Sequence, residues 1–531
     1  MESQKDEHVQ PGLEAPHHLN GTALLMNARD AALVKRAKLK LDLLLLPILG
    51  LFFFLSFLDR ANLGNVRIIG LQKDLHMTDY DFSMALTVTF IPYILIELPS
   101  NLLVHKIGAG IQIPLTVTIW GLITCLQGLV TSYRGLLVSR FFLGLVEGGL
   151  YPAVVLYLST FYTRSELQLR IALFWGTICI SGAASGLLTY AIIKLHGHWG
   201  HPGWAWVFLA SLREVLAGVL VDDLTSVNHL TLNFNLISIL PLHAEKRCLI
   251  SRLGPAWMSS TSFTSSATYI QRYPAKSTIL QVWEAFKSPH VILLSIAQFG
   301  CASNIYSLAY FAPTIVNTFG YSPTTTQLFT VPPFAVGFIF LVGMSYWSDK
   351  RQTRAHASVI SAVLSIIGFA IFYASSSAKV RYGSLFISIP GAYAVSPSLG
   401  AWTADNSEPH KRKATAIALG AMVANSGGLF SVWIFVLGKK PRYHLPTAFN
   451  IFFGVAIIVC CILNTIWLSH AQKKKVAKRS DILEKFGLRS ASASFKQEEN
   501  ESQAQLSEHD MMSAKAWDDL GDQHPDFKYI Y

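Results

Sequence analysis

The sequence predicts an all-α membrane protein of twelve transmembrane helices, set out as two six-helix pseudo-symmetric bundles. Three observations predict it. The 531 residues are 51% hydrophobic and only 14% charged, with a mean hydropathy of +0.38, whereas a soluble domain carries roughly a quarter charged residues. The apolar residues fall into separate runs, each long enough to cross ~30 Å of hydrocarbon as a helix. The runs come as six, then a longer polar stretch, then six more.

The runs lie at 41–63, 82–104, 111–132, 135–161, 169–194 and 204–221, and then at 290–313, 327–347, 356–377, 381–403, 414–437 and 446–469. They divide the chain into a disordered tail over 1–40, a first bundle over 41–223, a linker over 224–289, a second bundle over 290–470 and a disordered tail over 471–531. Six plus six implies internal duplication, and parallel repeats of this kind bind their ligand between the halves near the bilayer midplane. An even helix count puts both ends on one side. The basic loops place that side in the cytoplasm, since Lys and Arg concentrate in cytoplasmic loops. Examples are Lys35-Arg36-Ala37-Lys38, Lys350-Arg351, Lys411-Arg412-Lys413 and Lys473-Lys474-Lys475, although Lys439, Lys440 and Arg442 fall opposite.

The formal net charge of +11 is thus flanking charge. It is not the basic face of a soluble nucleic-acid binder. Residues 1–38 lack the apolar core of a signal peptide. Of the six cysteines, Cys125, Cys179, Cys301, Cys460 and Cys461 sit in apolar runs, and none forms a Cys-x-x-Cys pair, so they read as small buried hydrophobes. No cofactor or metal is expected. The expected partners are the bilayer, protons and a small organic anion, with a monomeric chain in the plasma membrane.

Ionisable residues inside apolar runs carry the functional reading, because each is costly in lipid. Asp59 and Arg60 lie in the first run. Arg140 and Glu147 lie in the fourth, seven residues apart, so two helical turns place both on one face, ~10 Å apart. They can be neutralising pairs that only set helix contacts. Alternatively, the arginines hold an anion and the carboxylates carry protons. A guanidinium suits a carboxylate because its planar fork donates two parallel hydrogen bonds and stays charged. Glu97, near the end of the second run, reads as interfacial or gate packing. Gly144-x-x-x-Gly148 and Gly182-x-x-x-Gly186 permit close helix approach.

The strings Phe57-Leu58-Asp59-Arg60-Ala61-Asn62-Leu63-Gly64-Asn65, Glu97-Leu98-Pro99-Ser100-Asn101 and Arg140 through Tyr151-Pro152-Ala153 resemble the anion:cation symporter family of the major facilitator superfamily. The resemblance is to its fungal branch, with allantoate, nicotinate, pantothenate and biotin permeases, and covers roughly 41–210 and 280–470. It implies a twelve-helix bundle alternating between inward-open and outward-open states. It also implies proton coupling at Asp59 and Glu147 and substrate binding at Arg60, Arg140 and Tyr93. Asn304, Tyr306, Trp402 and Asn425 are candidates for the second half of the cavity. The loop after the second run, Asn101-Leu102-Leu103-Val104-His105-Lys106-Ile107-Gly108, has His105 where the superfamily carries an acid. Its second-half copy, Ser345-Tyr346-Trp347-Ser348-Asp349-Lys350, keeps the acid. Lys106 and Asp349 are therefore expected at a cytoplasmic gate. The fifth run lacks the Gly-Pro kink of drug/proton antiporters, which makes efflux the lesser alternative.

The sixth run departs from the family, with Arg213, Glu214, Asp222 and Asp223 followed by a semi-polar stretch. An unremoved intron or shifted frame across 210–243, or genuine divergence, would each produce it. The expected function is alternating-access, proton-coupled uptake of a small carboxylate such as a vitamin, ureido acid or sugar acid. A non-transporting sensor on the same fold is the alternative from another class. An enzyme is not expected, since no His/Asp/Cys constellation gathers near one interface.

Overall fold

The computed structural model describes residues 28–66, 70–192, 197–210, 278–317, 323–437, 443–484 and 520–531. Within them the spans are helices. The first span is Ala28–Val66 and the second Asp79–Ile107. The third is Ala109–Gln127. The fourth is broken into Tyr133–Glu147 and Leu150–Phe161, and the fifth is Leu167–Ile192. The sixth is described only over Gly203–Leu209, and the charged stretch after it lies outside the described residues. Thr278–Lys287 is a separate helix before the seventh span, Pro289–Asn317. The remaining spans are Pro323–Arg351, Arg354–Ala374, Ala378–Asp405, His410–Leu437 and His444–Ala477.

Eight of these helices are long and apolar enough to cross a bilayer, and the third and fifth hold shorter apolar stretches, Ile111–Gln127 and Leu167–Gly182. The tenth, Ala378–Asp405, spans 28 residues yet carries Ser384, Ser388, Ser398, Gly391 and Gly400, and it is buried over most of its length. A helix enclosed by protein does not need an apolar coat, which is why its hydropathy is weaker than its neighbours'. Prolines inside the spans, such as Pro92, Pro99, Pro390 and Pro397, are tolerated because neighbouring helices re-satisfy the freed backbone.

The first span begins earlier than the sequence suggested, at Ala28 rather than near residue 41. Its Ala, Leu, Lys and Arg content is strongly helix-forming and continues the register of the apolar stretch. The twelfth likewise runs to Ala477, carrying Lys473, Lys474 and Lys475.

Small residues set the packing. The first span packs on the fifth, and the second on the fourth. The seventh packs on the eleventh and twelfth, and the ninth on the tenth. A Cβ on Gly144 would run into the backbone of Thr89, and one on Gly148 into the backbone of Tyr93. The glycine pair therefore lets the fourth span lie against the second. Gly391 does the same for the tenth span, where a Cβ would meet Ser361 and Ser365 of the ninth. Across the two groups of six, the second span packs on the eleventh and the fifth on the eighth.

One face carries the start of the first span and the end of the twelfth and is called the tail face. There Lys38 pairs with Glu166 at 2.6 Å and Asp42 with Arg170 at 2.9 Å. Residues 520–531, expected as part of a disordered tail, pack against this face. Residues 485–519 of that tail lie outside the described residues.

Candidate functional site

The chemistry gathers around a central cavity lined from both groups of spans. Phe57 and Arg60 of the first span, Tyr93 of the second and Trp175 of the fifth form one wall. Gln298 and Tyr306 of the seventh and Asn425 of the eleventh form the other. Apart from Arg60, the lining is aromatic, aliphatic or neutral polar.

Arg60 is the organising group. Its Nη1 donates to the Tyr306 hydroxyl at 2.7 Å, and its Nη2 lies 3.0 Å from Glu147 Oε1. The guanidinium also sits over the rings of Tyr93 and Phe57, at 4.8 and 5.0 Å from their centroids. The cation is thus engaged by hydrogen bonds, an ion pair and two aromatic rings, as befits a charge removed from water. Glu147 is 2% exposed, and the same oxygen accepts from Ser56 Oγ. Glu147 ends the first half of the fourth span, where Gly148 and Gly149 interrupt the helix.

Arg140 lies two turns from Glu147 and does not line the cavity. It is 3% exposed, sits over the Phe208 ring at 5.8 Å, and lies in the field of Asp59 and Glu147. Asp59 is buried and accepts from Trp120 Nε1 at 3.2 Å. The four charges expected to act together therefore form two sites. Arg60 lines the cavity and holds Glu147 beside it, whereas Asp59 and Arg140 neither line it nor contact Arg60 in a described bond.

The other expected residues divide in the same way. Tyr93, Tyr306 and Asn425 line the cavity. Asn304 is buried elsewhere in the seventh span, with its Oδ1 lacking a hydrogen-bond partner. Trp402 is fully buried away from the cavity, and its Nε1 donates to the Ile530 carbonyl at 2.8 Å. Asp349 lies at the tail face, 2.6 Å from Arg354 Nη1, and accepts from the Leu169 amide at 2.7 Å across the two groups of spans. The Lys106 side chain lies outside the described residues.

Three features were not anticipated. Glu97 is fully buried where the second span packs on the eleventh. Its Oε1 accepts from Asn425 Nδ2 at 2.7 Å, joining the second span to the eleventh, and its Oε2 has no partner. Trp175, Tyr151 and Gln298 also line the cavity, each an uncharged side chain of a kind common in membrane spans. Arg354, which the sequence reading did not single out, is 0% exposed. It pairs with Asp349 and with Asp405 at 3.1 Å, donates to Gln168 Oε1 at 2.6 Å, and also donates to the Arg164 carbonyl.

The Major Facilitator Superfamily family model matches residues 49–432 and 294–499. The high-affinity nicotinic acid transporter of Saccharomyces cerevisiae is 28% identical over 452 residues, covering 83% of this chain and 79% of that protein. An MFS-type transporter of Penicillium expansum, cnsO, is 29% identical over 473 residues, covering 87% and 88%. Among solved structures, a proton:xylose symporter aligns with a TM-score of 0.61 at 14% identity, covering 82% of this chain and 95% of that one. The fucose:proton symporter of E. coli aligns at 0.54 with 13% identity, covering 79% and 98%. At such identities the structures speak for the fold alone. The chain belongs to the major facilitator superfamily and is a multi-pass membrane transporter, not an enzyme.

Proposed function

We propose that the chain is a proton-coupled importer of a small organic anion, acting in the plasma membrane with its tail face toward the cytoplasm. The observation that carries this reading is the placement of Arg60. It faces a neutral aromatic cavity and holds Glu147 on one edge of its fork and Tyr306 on the other.

A substrate carboxylate entering the cavity competes with Glu147 for the same guanidinium. One buried cation does not neutralise two carboxylates, and an uncompensated charge in low dielectric is strongly disfavoured. Binding therefore favours uptake of a proton by Glu147, and release of the substrate lets Glu147 return to Arg60 and lose it. Anion and proton then move together. Asp59 and Arg140 form a second, enclosed pair whose balance shifts as the fourth span moves. In this reading Arg140 serves Asp59, and binds substrate only in a state where the fourth span has turned toward the cavity.

The rings of Phe57, Tyr93 and Trp175 suit a flat body attached to the carboxylate, and Asn425 and Gln298 supply neutral hydrogen bonds at the other end. A planar aromatic monocarboxylate such as nicotinate, the substrate in the name of one relative, fits this chemistry. The test is uptake of labelled nicotinate and a panel of other monocarboxylates into vesicles holding the purified chain, with and without an imposed proton gradient. Accumulation driven by an inward proton gradient is expected for at least one of them. Uptake of none, or uptake indifferent to the gradient, removes the proposal.

A further inference from the structure

Residues 520–531 lie across the tail face in a site built from both groups of spans. Most of the site belongs to the second group. Arg412 meets Asp522 at 2.6 Å. Lys475 Nζ donates to the carbonyls of Asp522 and Phe527, each at 2.9 Å, and sits 3.7 Å from the Tyr529 ring centroid. Asn406 exchanges two hydrogen bonds with the Ile530 backbone, at 2.8 and 2.9 Å, and Trp402 Nε1 donates to the same carbonyl. The Arg354 amide donates to the Tyr531 carbonyl oxygen at 2.6 Å.

The first group contributes Arg164, in the turn between the fourth and fifth spans. Its Nη1 donates to the Lys528 carbonyl at 3.2 Å, and its guanidinium stacks over the Phe527 ring at 4.1 Å. The same arginine reaches Glu408 of the other group at 3.9 Å, and its carbonyl accepts from Arg354. The peptide is therefore held at both sides of the seam that must part when the tail face opens.

The segment fits as a specific ligand fits. Phe527 and Tyr529 are buried at 3% and 8% exposure, and Asp522 at 7%. Gly521 adopts φ +53°, a left-handed conformation, and a Cβ there would run into the Glu408 carbonyl. Only glycine meets both demands. The site offers four cationic side chains, Arg164, Arg412, Lys475 and Arg479, and the peptide answers with two carboxylates, Asp522 and Asp526, backbone carbonyls and two rings.

We infer that residues 520–531 are a latch, docked in a dedicated site that spans both groups of helices and holds the transporter closed on its tail face. The docking site stands on the contacts themselves, and its consequence rests on the alternating-access reading proposed above. While the peptide is seated, parting the groups breaks the Arg164 contacts. Once it is displaced, direct contacts between the groups remain at this face, among them Arg164 with Glu408, Asn101 with the Ala414 carbonyl, and those through Gln168, Asp349 and Arg354. A ligand that competes for the same cations, or a change within the peptide, then sets how often the face opens.

The test places spin labels at Ser165 and Lys350, two exposed positions on opposite sides of the seam, and reads the distance distribution in detergent and in nanodiscs. The full chain is expected to show a dominant short distance. Removing 520–531, or keeping the length and making Phe527→Ala/Tyr529→Ala, is expected to raise the ratio of long to short distances about tenfold. That is the change that ~1.4 kcal/mol of lost contact free energy produces. The double variant leaves every residue of the helical bundle in place, so it guards against a truncation that merely impairs folding. An unchanged distribution in the double variant overturns the latch. The readout needs no substrate and no gradient, so it stands even if the organic-anion reading fails.

Discussion

Arg60 and Glu147 lie 3.0 Å apart at the edge of the central cavity, and the same arginine reaches Tyr306 of the opposite group of spans at 2.7 Å. One guanidinium thus reports to a carboxylate on its own side and a phenol across the seam. Arg60→Lys keeps the charge but loses the fork, since an ammonium is a point donor without the planar geometry. A hydrogen bond to a charged group contributes about 1.5–3 kcal/mol, so affinity for a transported monocarboxylate is expected to fall roughly ten- to a hundredfold. Isothermal titration or scintillation proximity binding measures it. Unaltered affinity in the lysine variant takes Arg60 out of the binding site.

Glu147→Gln separates proton coupling from binding. The amide is close in shape to the protonated acid, and it neutralises the position permanently. Counterflow exchange of substrate is expected to persist at near wild-type rate, while accumulation driven by a proton gradient falls to the level seen without one. Gradient-driven accumulation in this variant would assign the proton elsewhere. Glu97 is the first place to look, being fully buried with one oxygen unpartnered and no ion pair among the described residues.

These two residues also show how far the sequence could be read. Spacing placed Arg140 and Glu147 on one face of a helix, which they share, and singled out Asp59 and Arg60 beside them. The split into two sites was not legible. It depends on the break at Gly148–Gly149 and on which neighbour each face meets, and hydropathy carries neither. Glu97 was singled out as interfacial or gate packing, but its pairing with Asn425 was not legible, because contact between the second and eleventh spans is not carried by hydropathy. Trp175 and Gln298 were invisible because aromatic and amide residues are common in spans without function. The loop string singled out Asp349. Its partner Arg354 was hidden among the basic residues that normally mark a cytoplasmic loop.

The glycine contacts make a prediction about stability alone. At Gly144 and Gly148 an added Cβ meets backbone of the second span, not the end of a flexible side chain, so relief requires the helices to separate. Gly144→Ala is expected to cost about 1–3 kcal/mol, the range for overpacking a close-packed contact. A lower melting temperature by fluorescence-detected size exclusion reads the effect. Gly383, where a Cβ would meet nothing, is the control, and Gly383→Ala is expected to melt with the wild type. Equal melting of the two variants would mean that the second and fourth spans are not packed as closely as described.

The latch carries two titrating groups that act against each other. Burial pushes the Asp522 carboxyl up to about 7, against the pull of Arg412 and Lys475 and with a smaller push from Glu408. Burial holds His524 down to about 4, opposed by Asp526 and assisted by Arg479 and Lys475. Free in solution, the two would titrate at about 3.9 and 6.5. The docked peptide therefore binds more protons than the free one at Asp522 between about pH 7 and 4, so acidification strengthens docking there. It binds fewer at His524 between about pH 6.5 and 4, so acidification weakens docking through that group. In the wild type the two contributions largely cancel below about pH 6.5. Each single variant exposes the other group. His524→Gln should dock more tightly as the pH falls from 7.5 to 5.5, and Asp522→Asn should dock less tightly over the lower part of that range. Hydrogen-exchange protection of the Tyr529 and Ile530 amides, which donate to Gln472 and Asn406, reports the docked fraction once intrinsic exchange rates are divided out. Parallel pH profiles for the two variants would mean that neither group titrates in the docked peptide.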